Sequence, residues 1–251
     1  MPPLSPLAWS ICILAAIVIG VAKGGFTGLG MMATPLVALV LPPAVAAAII
    51  LPVLIVQDAI STWAFRHDWD RWIVAWMLPG GIIGVALGYV FAANVDELAL
   101  KALVGAVTLA FGAYRLWIER GNRIVAPSNS PGWVGTLFGV AAGFTSQVSH
   151  AGAPPYQTWV TPRKLPHLRY AGTTAILFTI LNWVKVPAYV ALGVMSSQVL
   201  RIAAVLIPVA IVSTLLTIRL LRQMHPERFY KAIYVLMIVL GTKLLADGIG
   251  I

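Results

Sequence analysis

Apolar runs of about twenty residues recur from one end of the chain to the other, and charge is confined to short stretches between them. No other property of the sequence limits the fold so sharply. In a bilayer every backbone N–H and C=O must find a partner inside the protein, so only helices and closed barrels span it. A barrel would alternate apolar and polar residues along short strands, and these runs do not alternate. About 20 residues at 1.5 Å each cover a hydrocarbon core of roughly 30 Å. The chain therefore reads as an all-α polytopic membrane protein. Of its 251 residues 60% are hydrophobic and 10% charged, far from the balance of a soluble domain. A net charge of +9 would suit a nucleic-acid partner in a soluble protein. In a chain this apolar it reads as Lys and Arg held on cytoplasmic loops, with no nucleic acid implied. Cys12 is the only cysteine, so neither an intrachain disulfide nor a cysteine-based metal cluster is expected. The opening Met1-Pro2-Pro3-Leu4-Ser5-Pro6 lacks the basic start of a signal peptide, so the first run is expected to be retained.

Two related stretches interrupt the apolar sequence. The first reads Val21-Ala22-Lys23-Gly24-Gly25-Phe26-Thr27-Gly28-Leu29-Gly30 and reaches Thr34-Pro35; the second reads Ala142-Gly143-Phe144-Thr145-Ser146-Gln147-Val148-Ser149-His150-Ala151-Gly152-Ala153-Pro154-Pro155. Both contain Gly-Phe-Thr and end in proline, about 120 residues apart. Glycine and proline at this density break a helix and free backbone groups. Such backbone survives at membrane depth only where it lines a cavity or is buried in protein. The two stretches are expected to form two halves of one substrate site.

Around them the chain repeats an order. Apolar runs cover 7–22, 31–41, 44–65, 72–93 and 98–117, then 133–142, a short stretch to Trp159-Val160, 170–192, 199–221 and 229–246. Each half thus holds a broken pair of short segments followed by three full-length ones. Residues 1–118 form the first membrane repeat, 119–131 a polar cytoplasmic linker, and 132–251 the second repeat. The spacing Gly80, Gly84, Gly88 is small-xxx-small, which points to close helix packing. Lys and Arg gather at Arg66 and Arg71, at Arg115, Arg120 and Arg123, at Arg163, Lys164 and Arg169, and at Arg219, Arg222, Arg228 and Lys231. With these four clusters in the cytoplasm, both termini fall on the periplasmic side and the halves are inverted relative to one another. Inverted repeats with discontinuous helices at matching positions are the arrangement of secondary transporters.

At these motifs the sequence resembles the TauE/SafE family of sulfite exporters and toluenesulfonate uptake permeases. The resemblance rests on Gly24-Gly25-Phe26-Thr27-Gly28-Leu29-Gly30 with Pro35, on Gly143-Phe144-Thr145-Ser146 with Gly152 and Pro154-Pro155, and on Gly172-Thr173-Thr174-Ala175 with Asn182. It covers essentially the whole chain. It implies inner-membrane carriage of sulfite or a small organosulfur acid, coupled to a proton gradient. The second motif of the family more often reads Gly-x-Gly-Gly-Pro; here it is Ser149-His150-Ala151-Gly152-Ala153-Pro154.

A small oxyanion needs N–H and O–H donors and positive potential, which half-helix N-termini supply. The expected substrate-binding residues are Lys23, Gly24, Gly25, Thr27 and Gly28 in the first motif. In the second they are Thr145, Ser146, Gln147, Ser149, His150 and Gly152. Gln57, Asn182 and Lys185 join them from the full-length helices, Asn182 at the position equivalent to Gln57. For the hydroxyls the plain alternative is capping of the broken helices. For Lys23 it is snorkelling to the interface, for His150 a satisfied polar core residue, and for Gln57 and Asn182 interhelical hydrogen bonding. Asp58, the one carboxylate well inside an apolar run, is the leading proton carrier, with His150 the second candidate. The plain alternative for Asp58 is an ion pair with Lys185 or Lys23. Catalysis is not expected: Ser149-His150 adjacency does not arrange a nucleophile and base, and no metal-ligand spacing or Walker loop appears. No cofactor is expected; the partners are a small anion, protons and lipid, with a homodimer left open. A channel and a passive subunit of a larger assembly are the rival readings.

Overall fold

The computed structural model describes residues 4–23, 29–120, 129–220 and 226–250, with side chains except at 119–120, 218–220 and 226–233. Among the described residues the regular structure is all helix, with no strand. In chain order the helices are α1 (Pro6–Lys23), α2 (Ala33–Ala38), α3 (Pro43–Phe65), α4 (Arg71–Asn94), α5 (Glu97–Arg120), α6 (Gly132–Ser149), α7 (Ala153–Val160), α8 (His167–Ala191), α9 (Ser197–Leu220) and α10 (Pro226–Ile249). Short 3₁₀ turns, Leu29–Met32 and Thr161–Arg163, precede α2 and follow α7. Six spans among the described residues are long and apolar enough to cross a membrane: Pro6–Lys23, Pro43–Phe65, Arg71–Asn94, Glu97–Ile118, His167–Ala191 and Ser197–Thr217. The protein is a multi-pass membrane protein.

One boundary differs from the sequence expectation. The apolar run 133–142 was expected to end at the second motif, but α6 continues through Gly143-Phe144-Thr145-Ser146 to Ser149. Gly143 serves packing there. A Cβ on it would meet the Gly81 carbonyl oxygen at 2.0 Å, so the glycine allows α6 to lie directly on α4. The break comes later, at His150, whose φ of 56° turns the chain into the left-handed region.

The chain forms two compact units. One comprises Met1–Val53, Val95–Arg123 and Val194–Ile251; the other comprises Leu54–Asn94 and Ile124–Gly193. Each draws on both halves of the sequence. In the first, α1 packs against α9, α2 against α1, and α5 against α10. The last pair is antiparallel: Lys101 bridges Asp247 at 3.3 Å, and Arg115 Nη2 donates to Tyr234 Oη at 2.8 Å.

In the second unit α4 and α6 run parallel. Cβ atoms built on Gly80, Gly84 and Gly88 would meet Thr136 O at 2.0 Å, Val140 O at 2.1 Å and Gln147 Cβ at 2.8 Å. This is the close approach that the small-xxx-small spacing predicts. Residues of α7 and α8 cover the pair: Tyr156, Trp159, Leu177 and Leu181 form a buried cluster with Ile73 and Met77 of α4. At one end of the unit three polar stretches meet. Arg169 pairs with Asp70 at 3.1 Å. The Arg163 guanidinium lies over Trp159 at 4.1 Å and Trp72 at 4.8 Å and donates to Ser130 O at 2.5 Å. Burial pulls the Arg163 guanidinium below its ordinary pKa, and Asp70 opposes that shift.

Candidate functional site

Within the second unit α8 is apolar but for a few residues. Asn182, Lys185 and Tyr189 follow at i, i+3 and i+7, the spacing of one helix face, and all three are buried. Trp183 and Val190, on the other side, are exposed. The polar face of α8 meets the C-terminal turn of α6. Lys185 Nζ donates to Ser146 Oγ at 3.0 Å and to Ser146 O at 3.3 Å. It also lies 2.7 Å from His150 Nδ1. An ammonium has no acceptor, so His150 accepts at Nδ1 when Lys185 is charged.

The turn itself is tightly specified. His150 N–H donates to Ser146 O at 3.0 Å, whereas Ala151 N–H reaches back to Thr145 O at 3.2 Å. Thr145 Oγ1 donates in return to Ala151 O at 2.9 Å, so one residue grips the turn from two sides. The carbonyl of Gln147 would have received the Ala151 N–H had the helix continued. It is instead satisfied by Tyr189 Oη, which donates at 2.6 Å. The Tyr189 ring lies nearly parallel to His150, centroids 6.2 Å apart and planes 11° apart. One face of α8 thus caps the end of α6 and holds the histidine, meeting the need of helix-terminal carbonyls for outside donors.

One turn earlier on α8, Asn182 Nδ2 donates to Asp58 Oδ2 of α3. Thr62 and Thr179 hydrogen-bond at 2.7 Å between the same two helices. Asp58 is fully buried and Gln57 is buried beside it. Asp58, expected as the proton carrier, is thus in direct contact with Asn182, the residue expected to be the counterpart of Gln57.

The expected site residues are placed differently from one another. Ser146, His150 and Lys185 are brought together, and Asn182 is joined to Asp58. Thr145 and Ser149 turn their hydroxyls to backbone: the single Thr145 proton is shared between Ala151 O at 2.9 Å and Ala141 O at 2.8 Å, and Ser149 donates to Thr145 O at 3.2 Å. Gly152 packs closely, since a Cβ there would lie 2.7 Å from Phe178 and 2.8 Å from Ala142 O. Lys23 ends α1 in the first unit, half-buried. Gly24, Gly25, Thr27 and Gly28 lie outside the described residues. Gln147 is buried in the last turn of α6, and its side-chain Oε1 has no hydrogen-bond partner among the described residues.

Two features were not read from sequence. Tyr189 escaped notice because tyrosine is common in apolar helices; its place one turn after Lys185 was the available signal. The N-terminus of α7 is also a poorer anion cradle than a helix start usually is, because Pro154 and Pro155 carry no N–H.

A family model described as sulfite exporter TauE/SafE matches residues 12–244. No curated protein and no solved structure matches the chain.

Proposed function

The chain belongs to the sulfite exporter TauE/SafE family of membrane transporters, and on that premise we propose that it is a secondary carrier of a small sulfur oxyanion, sulfite or an organosulfonate, across the bacterial inner membrane. One observation carries the reading: Lys185 is fully buried in a membrane helix and directed to the break between α6 and α7. An ionisable group at such depth is costly and marks a substrate or ion path. Ser146 and His150 hold the ammonium at the break, where positive potential in a weakly screened medium favours an anion.

The inverted repeat is supported by the pattern of helix pairs. If the first five helices correspond to the last five, the pair α1 and α9 and the pair α6 and α4 are the same pair with the halves exchanged, and α5 with α10 pairs with itself. Alternating access then follows from rocking of repeat elements. Asp58 is the proposed proton carrier. Its carboxyl takes up a proton without steric change, and Asn182 can accept from the acid through its amide oxygen after rotating.

Purified protein in liposomes tests this. Sulfite and methanesulfonate should show saturable uptake and counterflow. Lys185→Met should reduce both at least tenfold while the protein elutes as a single folded species. Asp58→Asn should abolish accumulation driven by a proton gradient and spare exchange. Current without counterflow would make the protein a channel, and no flux of either anion would remove the carrier reading.

A further inference from the structure

We infer that Thr173 is a positioning residue: with Gly172 it seats the loop between α3 and α4 on the start of α8, and so sets the register in which Asp58 meets Asn182. The inference rests on the proposed proton duty of Asp58 and gives the Gly172-Thr173 motif a part in it. Both residues lie in α8. A Cβ on Gly172 would overlap the Asp68 carbonyl oxygen and lie 3.1 Å from that of Phe65. The end of α3 and the loop after it thus rest on the bare face of this glycine. Thr173, fully buried, fixes the loop by its hydroxyl. Its Oγ1 accepts the Asp70 N–H at 2.8 Å and donates to Arg169 O at 2.6 Å. Asp70 is held by its carboxylate as well, which accepts the Ile73 N–H at 3.1 Å and pairs with Arg169 at 3.1 Å. The end of α3 and the starts of α4 and α8 are therefore tied together at one place.

From this seat the contacts run along both helices in one antiparallel register. On α3 Phe65, Thr62 and Asp58 follow at i, i−3 and i−7, and on α8 Gly172, Thr179 and Asn182 follow at i, i+7 and i+10. Each set has the spacing of one helix face. The Phe65 carbonyl lies by Gly172, Thr62 and Thr179 bond at 2.7 Å, and Asn182 Nδ2 donates to Asp58 Oδ2. A slip of one residue turns a helix by about 100° and moves it by about 1.5 Å. Such a slip would carry Asp58 away from Asn182, at a depth where a carboxyl without hydrogen bonds is costly. Thr173 lies about 13 Å along α8 from Asn182, so it acts on the pair through the register.

Purified protein in liposomes is given sulfite with and without a proton gradient. Thr173→Val keeps the shape of the side chain and removes the acceptor of the Asp70 N–H. It should lower gradient-driven accumulation about ten- to a hundredfold and leave sulfite counterflow as in wild type. Thr173→Ser, which keeps the hydroxyl, should behave as wild type. A merely structural residue would lower both fluxes in step with the amount of folded protein. Arg169→Gln, a milder cut that removes the ion pair to Asp70, should move accumulation the same way to a smaller extent. The register is read directly with Thr62→Cys/Thr179→Cys, since the two side chains meet closely enough for a disulfide. Oxidation should cross-link this protein rapidly, and adding Thr173→Val should slow the reaction several-fold. Once closed, the disulfide should restore accumulation to the Thr173→Val protein. Normal accumulation in Thr173→Val, equal loss of accumulation and counterflow, cross-linking at an unchanged rate, or no rescue by the disulfide would each overturn the inference. If Asp58→Asn still accumulates sulfite, the proton-carrier reading itself falls, and that result is distinguishable because the variant leaves Thr173 intact.

Discussion

Among single residues, Tyr189 shows how a helix end is held from a neighbouring helix. Its hydroxyl replaces the donor that the Gln147 carbonyl lost when the chain left the helix at His150. Tyr189→Phe keeps the ring against His150 and removes only that bond. The stranded carbonyl should cost about 1–3 kcal/mol. Detergent-solubilised protein should unfold at lower temperature, and Tyr189→Phe should lose less transport than Tyr189→Ala, which also frees the imidazole. Equal stability of wild type and Tyr189→Phe would mean that the Gln147 carbonyl has another donor. His150 itself occupies a backbone region that few non-glycine residues adopt. Its side chain is thereby placed 2.7 Å from Lys185, a position it would lose if α6 ran on.

At the scale of elements, the parallel pair α4 and α6 is the scaffold of the second unit. Its contact is backbone against backbone, so it tolerates no side chain. A Cβ at Gly84 would lie 2.1 Å from Val140 O and 2.7 Å from Phe144 N. Gly84→Leu should force the helices apart, cost several times the roughly 1–3 kcal/mol of ordinary overpacking, and abolish the folded peak in size-exclusion chromatography. Gly30→Ala is the contrasting case, since a Cβ there would meet only Ala22 Cβ at an ordinary 3.5 Å; it should elute as wild type. If Gly84→Leu also elutes normally, the α4–α6 contact is not required for folding. The α6–α7 turn depends on this scaffold, because Gln147 packs against Gly88 one turn further along the same interface.

For the whole molecule, the prediction concerns topology. The stretches around Asp70, Ser130 and Arg163 share one end of the second unit, as the positive charges on 66–71 and 163–169 require if they face the cytoplasm. Cysteines introduced at Asn94 and Ser197, both exposed, should react with an impermeant reagent from the periplasm, and one at Asn129 should not. The buried Cys12 leaves the background low. Periplasmic labelling at Asn129 would overturn the proposed inversion.

The sequence by itself determined the solvent, the helices and the family. Long apolar runs allow only helices in a bilayer, and each observed helix lies within a few residues of its run, apart from α6. It also pointed to Ser146, His150, Asn182, Lys185 and Asp58, because a polar residue in such a run is costly wherever it faces. Only the tertiary structure decided which of them meet. Lys185 and His150 are 35 residues apart and Asp58 and Asn182 are 124 apart, and no local period connects them. Hydropathy could not supply the inward face either. Lipid and protein interior are both apolar, so α8 exposes Trp183 and buries Leu181 with little pattern to tell them apart. The same degeneracy hid the role of Gly143. A glycine that breaks a helix and one that lets two helices touch look alike in sequence, and only the Gly81 carbonyl oxygen, 2.0 Å from where a Cβ on Gly143 would sit, distinguishes them.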